Sequence, residues 1–123
     1  TSSAASDVYK RQPWTQLSPQ ESIDGFFSND IPQVIFKHSP RCGISAMVLR
    51  RFEASEVFKN SKEKFWLLHV IENRAISNAL ASDFNVRHES PQILVVRKGK
   101  LLYHAAHSAI DADQIEIVLN GLK

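Results

Sequence analysis

The sequence contains one cysteine, Cys42, and its position suits nucleophilic chemistry. It follows a short apolar run, Gln33 to Lys37, and a loop containing Pro40 and Arg41; helical spacing of apolar residues begins at Ile44. Open α/β sheets place their sites where a strand ends and a helix begins. The free amides of a helix amino terminus and the Arg41 cation both favour the thiolate, which is the nucleophilic form. We therefore predict that Cys42 is a nucleophile.

Ser45 stands three residues after Cys42, on the same side of the first helical turn. We expect its hydroxyl to donate a hydrogen bond to the sulfur, so that Ser45→Ala slows attack near neutral pH with little loss of stability. Two alternatives stay open. In the first, Ser45 is only an ordinary residue of the first helical turn. In the second, Cys42 is buried and unreactive and behaves as a small apolar side chain.

A Ser-Pro pair and two histidines complete the candidate site. Ser90 and Pro91 precede a predicted hairpin, and an X-Pro bond there can be cis at small cost. That geometry would leave the Ser90 backbone free to pair with an incoming thiol compound. His38 precedes the active loop and His88 precedes Ser90, so both are candidate binding residues. His69 lies within an apolar run and is interpreted as a core residue.

The five histidines do not predict a metal site, because none forms a His-x₃-His pair on a predicted helix. With a single cysteine, an internal disulfide and a cysteine-rich zinc site are both excluded, which favours a reducing cytosol. The net charge is +2 with scattered basic residues, which does not indicate a nucleic-acid surface. No apolar run approaches the length of a membrane helix.

The periodicity predicts a helix, a strand, a helix, a strand, a helix, a hairpin and a closing helix. The first helix opens at Ser18, the strands cover residues 33–37 and 65–71, and the third helix covers residues 75–84. The second helix starts at or just after Cys42. Its apolar positions are Ile44, Met47, Val48, Phe52, Val57 and Phe58.

The end of the chain carries clear turn and cap signals. Lys98 and Gly99 predict a tight hairpin turn between residues 92–97 and 100–104. Asp111 is the expected cap of the closing helix, and Gly121 its expected end. We predict one domain, residues 13–123. Residues 1–12 are small and polar without apolar periodicity, and we interpret them as a tail outside the domain, artefactual or disordered.

Several separated segments resemble the YtxJ-type monothiol bacilliredoxins. The segment FKHSPRCGIS, residues 36–45, resembles their active segment. Residues 72–78 (ENRAISN), 86–92 (VRHESPQ) and 103–107 (YHAAH) resemble later family motifs in the same order. The likeness extends from about Trp14 to Lys123. One departure is Gly43, because family members often have proline after the cysteine.

The resemblance implies an α/β, thioredoxin-like fold with a central mixed sheet of about four strands flanked by helices. It implies a cytoplasmic thiol-disulfide oxidoreductase of the oxidative-stress response, which removes bacillithiol from mixed disulfides on client proteins. Bacillithiol is then a co-substrate, no cofactor is bound, and a flavoprotein reductase acts indirectly. Neither a membrane nor a nucleic acid is an expected partner.

The resemblance makes Cys42 the nucleophile and Pro91 the cis-proline. Ser45 and Arg41 support the thiolate, while Ser90, Pro91, His38 and His88 bind the small thiol. Two alternatives remain. Cys-Gly-Ile-Ser is similar to the Cys-Gly-Phe-Ser of monothiol glutaredoxins, which would make the protein an iron–sulfur carrier. In the second alternative, the protein is a non-catalytic interaction domain that keeps the thioredoxin-like fold.

Overall fold

The computed structural model describes residues 14–17, 30–60 and 64–122, which form a five-stranded mixed sheet with helices on both faces. The predicted α/β class is confirmed, but the sheet has five strands rather than about four. The additional strand, β1 (Trp14–Gln16), pairs in parallel with the middle of the sheet. Its three residues are too few to show a strand pattern in the sequence.

The other elements follow the predicted order. Their bounds are β2 (Gln33–His38), α1 (Gly43–Glu53), α2 (Glu56–Asn60), β3 (Lys64–His69), α3 (Arg74–Asp83), β4 (Gln92–Arg97), β5 (Lys100–Ala106), a 3₁₀ turn (His107–Ala109) and α4 (Ala112–Asn120). The strand order is β1-β3-β2-β4-β5, with β2 parallel to β3 and antiparallel to β4. The helix predicted to open at Ser18 lies outside the described residues.

The two central strands are buried on both faces, which explains their nearly continuous apolar sequences. One face of the sheet packs against α1, α2 and α4. The other packs against α3 and Leu17. The fully buried members of the two clusters include Val34, Phe36, Phe65, Ile93 and Ile115 on the first face, and Ile35, Leu68, Leu80 and Leu94 on the second.

The helix predicted to run from Cys42 to Phe58 is interrupted at Ala54 and Ser55. The Ser55 hydroxyl donates to the Phe52 carbonyl oxygen and accepts from the Phe58 N–H at 3.4 Å. A serine that bonds the local backbone in this way competes with helix continuation and starts a new helix. Val57 and Phe58 still reach the core, as predicted, but from the separate helix α2.

The predicted apolar face of α1 is wrong at two positions. Ile44 is 56% exposed and Met47 is 52% exposed, whereas the polar Ser45 is fully buried. The buried stripe is Ser45, Val48 and Phe52. The helix takes this rotation because Ser45 makes buried hydrogen bonds to the end of β2, which apolarity alone does not reveal.

The predicted turn and cap residues of the second half are confirmed. Lys98 (φ 53°) and Gly99 (φ 76°) both take the left-handed conformation that a tight two-residue hairpin requires. The Asp111 carboxylate accepts from the Asp113 N–H at 2.9 Å, and Gly121 ends α4. Within the described ranges, no helix has the length and apolarity to cross a membrane.

Candidate active site

Cys42 lies between the end of β2 and the start of α1. Its N–H donates to the Ser39 carbonyl oxygen at 3.0 Å, which closes the turn containing the exposed Arg41. Its backbone is extended (φ −103°, ψ 119°), and its carbonyl oxygen accepts from the Ala46 N–H at 3.1 Å. The half-buried side chain caps no amide. The sulfur therefore lies at the amino terminus of α1 without a capping hydrogen bond to its amides.

The Ser45 hydroxyl bonds to the end of β2 instead of to Cys42. Its Oγ lies 2.7 Å from His38 Nδ1 and accepts from the Ser39 N–H at 3.1 Å. Within the described ranges, these are its only hydrogen bonds, and neither involves the sulfur. The expected donation from Ser45 to the sulfur is thus absent from this geometry. Ser45 holds α1 against the strand that precedes the cysteine.

His38 lies beneath this loop, and a second histidine stands beside it. His38 is 7% exposed, and it pairs in register with His69 of the parallel strand β3. Their ring centroids are 5.7 Å apart. Burial lowers the pKa of His38, and the neighbouring His69 lowers it further. Burial therefore favours the neutral form of His38, and its Nδ1 shares a hydrogen bond with the Ser45 hydroxyl.

The Ser90–Pro91 segment lies at the same edge of the sheet as Cys42. Gln92, the residue after Pro91, pairs with Lys37 near the end of β2, so both segments project beyond the same strand ends. The Ser90–Pro91 peptide bond is cis. The Pro91 carbonyl oxygen accepts from the His107 N–H at 2.9 Å. Among the described residues, nothing bonds the Ser90 backbone, and the buried Ser90 Oγ is without a partner.

His88 precedes this segment and is tied to two other elements. Its Nδ1 lies 2.9 Å from Ser77 Oγ of α3 and 3.2 Å from Lys37 Nζ of β2. Burial lowers the pKa of His88; the positive charges of Lys37 and Arg74 lower it further, while Glu89 opposes them. The structure therefore places His88, as well as Ser90 and Pro91, at the sheet edge that carries Cys42.

Two residues of this region were not predicted from the sequence. His69 was interpreted as a core residue, yet it is half-buried next to His38. Lys37 is fully buried, and burial lowers its pKa to about 8. The available signal for Lys37 was a charged residue inside an otherwise apolar strand. Its partners Ser77 and His88 are 40 and 51 residues away, so no local pattern identifies them.

The described residues offer no metal site, and a surface cavity lies away from the thiol site. In the part of the chain that the structure describes, no group of three or more histidine, cysteine, aspartate or glutamate side chains could hold a metal ion. A surface cavity of about 530 Å³ lies between α1 and the start of α4, with Arg51, Ser55, Ser108 and Asp111 in its lining. Cys42 and Pro91 do not line it, so its location does not coincide with the thiol site.

The fold and the half-buried cysteine define a thioredoxin-fold protein with one cysteine. A family model described as monothiol bacilliredoxin BrxC matches residues 15–115. The chain therefore belongs to the monothiol bacilliredoxin family. This membership, together with the fold, supports a redox function.

Similar solved structures agree on the fold. One is a thioredoxin-fold protein provisionally described as an oxidoreductase, with 27% identity and a TM-score of 0.74 over 89% of this chain and 96% of that chain. Thioredoxin from Trypanosoma brucei brucei has 19% identity and a TM-score of 0.69 over 90% and 92% of the two chains. Thioredoxin f from spinach chloroplast has 12% identity and a TM-score of 0.66 over 89% and 92%.

Proposed function

We propose that this protein is a cytoplasmic thiol-disulfide oxidoreductase of the YtxJ type that removes bacillithiol from mixed disulfides on client proteins. The observation that carries this proposal is the half-buried Cys42 at the start of α1, at the same sheet edge as Ser90 and Pro91. Membership of the monothiol bacilliredoxin family supports bacillithiol as the small thiol.

The reaction needs one cysteine and an external thiol. The Cys42 thiolate attacks the bacillithiol sulfur of the mixed disulfide, and the client cysteine leaves as a thiolate that takes a proton from water. Cys42 then holds bacillithiol in a new disulfide. A second bacillithiol thiolate attacks that bacillithiol sulfur, which frees Cys42 and forms bacillithiol disulfide. A flavoprotein reductase then returns bacillithiol disulfide to two thiols, as the family resemblance implies.

The small thiol and the client protein contact different surfaces around Cys42. The Ser90 backbone, free of described hydrogen bonds, is suited to hydrogen-bond the incoming small thiol. Arg41, exposed next to Cys42, is a cation that attracts the carboxylates of bacillithiol. Ile44 and Met47 are exposed apolar side chains on α1 beside the cysteine. They offer apolar contact to a client, while His38 and Ser45 stay buried and shape the loop from beneath.

The test compares two mixed disulfides of one client protein, one with bacillithiol and one with glutathione. The measured quantity is the rate of client thiol release, with Cys42→Ser as the background. We expect faster release from the bacillithiol disulfide; a tenfold ratio needs only about 1.4 kcal/mol of differential transition-state binding. Equal rates or a preference for glutathione would contradict the bacillithiol assignment. Release no faster than with Cys42→Ser on either disulfide would favour a non-catalytic interaction domain.

A further inference from the structure

Lys37 is a completely buried lysine whose nitrogen contacts two other elements. It is 0% exposed, although it is the penultimate residue of β2. Its Nζ donates to the Ser77 carbonyl oxygen at 3.1 Å and lies 3.2 Å from His88 Nδ1. An ammonium group has no lone pair, so it can contact the imidazole only as a donor.

This contact decides which nitrogen of His88 carries the ring proton. The neutral imidazole has one acceptor nitrogen, and Lys37 Nζ, which can only donate, lies 3.2 Å from Nδ1. The Ser77 hydroxyl lies 2.9 Å from the same nitrogen and can then donate to it as well. The proton must then be on Nε2. Since His88 is exposed and no hydrogen bond among the described residues uses Nε2, this N–H is left for an external acceptor.

The surrounding charges suit an anionic partner. Lys37 and Arg74 act on His88 with positive charge, and Glu89 is the one opposing negative charge among its described influences. Gln92, opposite Lys37 across the β2–β4 pair, donates from Nε2 to the Arg87 carbonyl oxygen at 2.9 Å. The segment that carries His88 is thus fixed to the sheet at two points, by Lys37 and by Gln92.

We propose that Lys37 is a positioning residue that holds His88 as its neutral Nε2–H form, and that His88 and Arg74 bind a carboxylate of the small thiol. This inference rests on the proposed function and names the group that the site recognises. A fixed N–H donor and a guanidinium are both suited to a carboxylate. Bacillithiol presents two carboxylates on its malate part.

The first test reads the tautomer of His88 directly, by ¹⁵N NMR of histidine-labelled protein at neutral pH. We expect His88 to carry its proton on Nε2, Lys37→Met to show both tautomers, and Lys100→Met to match the unchanged protein. Lys100 is the control because it is an exposed lysine on a strand. A proton on Nδ1 in the unchanged protein would overturn the proposal, as would a single Nε2–H form in Lys37→Met.

The unchanged protein provides the same comparison if Lys37→Met does not fold. The pH is raised past the point where Lys37 loses its proton, and the ¹⁵N spectrum is recorded again. A neutral amine can accept from Nδ1–H as well as donate, so we expect the Nδ1–H form of His88 to grow in. A tautomer ratio that does not change with the charge of Lys37 would overturn the proposal.

The second test separates carboxylate binding from thiol chemistry. One client is prepared as a mixed disulfide with bacillithiol and as one with cysteamine, which has no carboxylate. We expect His88→Ala and Arg74→Gln each to raise KM for the bacillithiol disulfide by about tenfold, with kcat unchanged. Lys37→Met should raise KM only about twofold, because its His88 keeps the Nε2–H form for part of the time. Rates on the cysteamine disulfide should fall less than rates on the bacillithiol disulfide, because cysteamine has no carboxylate.

The two hypotheses fail in different ways. Unchanged KM in all three variants of an active enzyme, or equal losses on both disulfides, would overturn the carboxylate site alone. If the unchanged protein does not exceed the Cys42→Ser background on either disulfide, the proposed function falls and this inference falls with it.

Discussion

The Ser45 hydroxyl lies 2.7 Å from His38 Nδ1 and 3.1 Å from the Ser39 nitrogen, and the residue is fully buried. A serine three residues after a reactive cysteine invites the interpretation that it supports the thiolate. Here the Ser45 hydroxyl instead forms hydrogen bonds with His38, the last residue of β2, and with Ser39, which follows it. Its removal leaves the buried His38 Nδ1 and the partly buried Ser39 N–H without this partner, so Ser45 contributes to stability as well as to the shape of the loop.

We now expect Ser45→Ala to lower the free energy of unfolding by about 1–3 kcal/mol, instead of the small loss predicted from sequence. The matched control is Ser82→Ala, at an exposed serine of α3, which should stay within about 0.5 kcal/mol of the unchanged protein. Urea unfolding of the three proteins measures the difference. Equal stability of the two variants would mean that the buried hydrogen bonds of Ser45 contribute nothing net.

The backbone conformation around Gly43 is compatible with proline, which is common at this position in the monothiol bacilliredoxins. Gly43 is the first residue of α1, where a missing N–H costs no helical hydrogen bond. Cys42 is already extended, as a residue before proline must be. A Cβ at Gly43 would meet nothing within 4 Å. We expect Gly43→Pro to raise the free energy of unfolding by about 0.4–1 kcal/mol, because proline lowers the conformational entropy of the unfolded chain.

Urea unfolding of Gly43→Pro, with Gly43→Ala as the control for adding a side chain alone, measures this effect. Alkylation of Cys42 in both variants checks that the thiol keeps its reactivity. A loss of stability in Gly43→Pro that Gly43→Ala does not share would show that the Gly43 N–H makes a hydrogen bond in solution.

At the level of elements, local signals predicted most of the fold. Lys98 and Gly99 determine a turn by their own backbone preferences, and Asp111 caps α4 within two residues. Features that depend on distant partners were missed. β1 exists because it pairs with β3, and its Trp14 donates from Nε1 to the Glu53 carboxylate at 2.7 Å. Ile44 was misplaced because the orientation of α1 depends on a buried polar contact.

The same distinction applies to the candidate site. The type and spacing of Cys42, Ser90 and Pro91 are visible in the sequence, because a strand end, a helix start and a hairpin entrance are local features. Their meeting at one edge follows from the register of β2 with β4. The pairing of His38 with His69 follows from the register of β2 with β3, which apolar patterns do not determine.

That strand register leads to a prediction about His38. Burial is the main cause of its lowered pKa, and the charge of His69 is the second cause. His69→Gln removes only the second, so the pKa of His38 should rise partway toward its usual value. NMR titration of His38 measures this. His104→Gln is the control, at an exposed histidine on β5. An unchanged His38 titration in His69→Gln would show that the two rings do not interact electrostatically.

At the scale of the whole molecule, one lysine of the described residues lies in the middle layer of the fold. Lys37 lies between the helix α3 and the sheet, among apolar residues of the second cluster, with no exposed surface. Its positive charge has hydrogen-bond acceptors but no carboxylate partner among the described residues. A buried cation without a counter-ion disfavours the folded state, and that cost disappears when the proton leaves.

The stability of the whole protein should therefore depend on pH through Lys37. Burial lowers its pKa from 10.5 to about 8, so between these values the unfolded chain binds the proton that the folded chain has released. Rising pH then favours the folded state, by up to about 1.4 kcal/mol per pH unit.

Lys37→Met lacks this contribution. We expect the unfolding free energy of the unchanged protein to gain about 2–3 kcal/mol relative to Lys37→Met from pH 7 to pH 10. Urea unfolding under reducing conditions, with Lys100→Met as the exposed control, measures this gain. A difference between the unchanged protein and Lys37→Met that stays flat with pH would mean that Lys37 holds its proton in the folded state as firmly as in the unfolded chain.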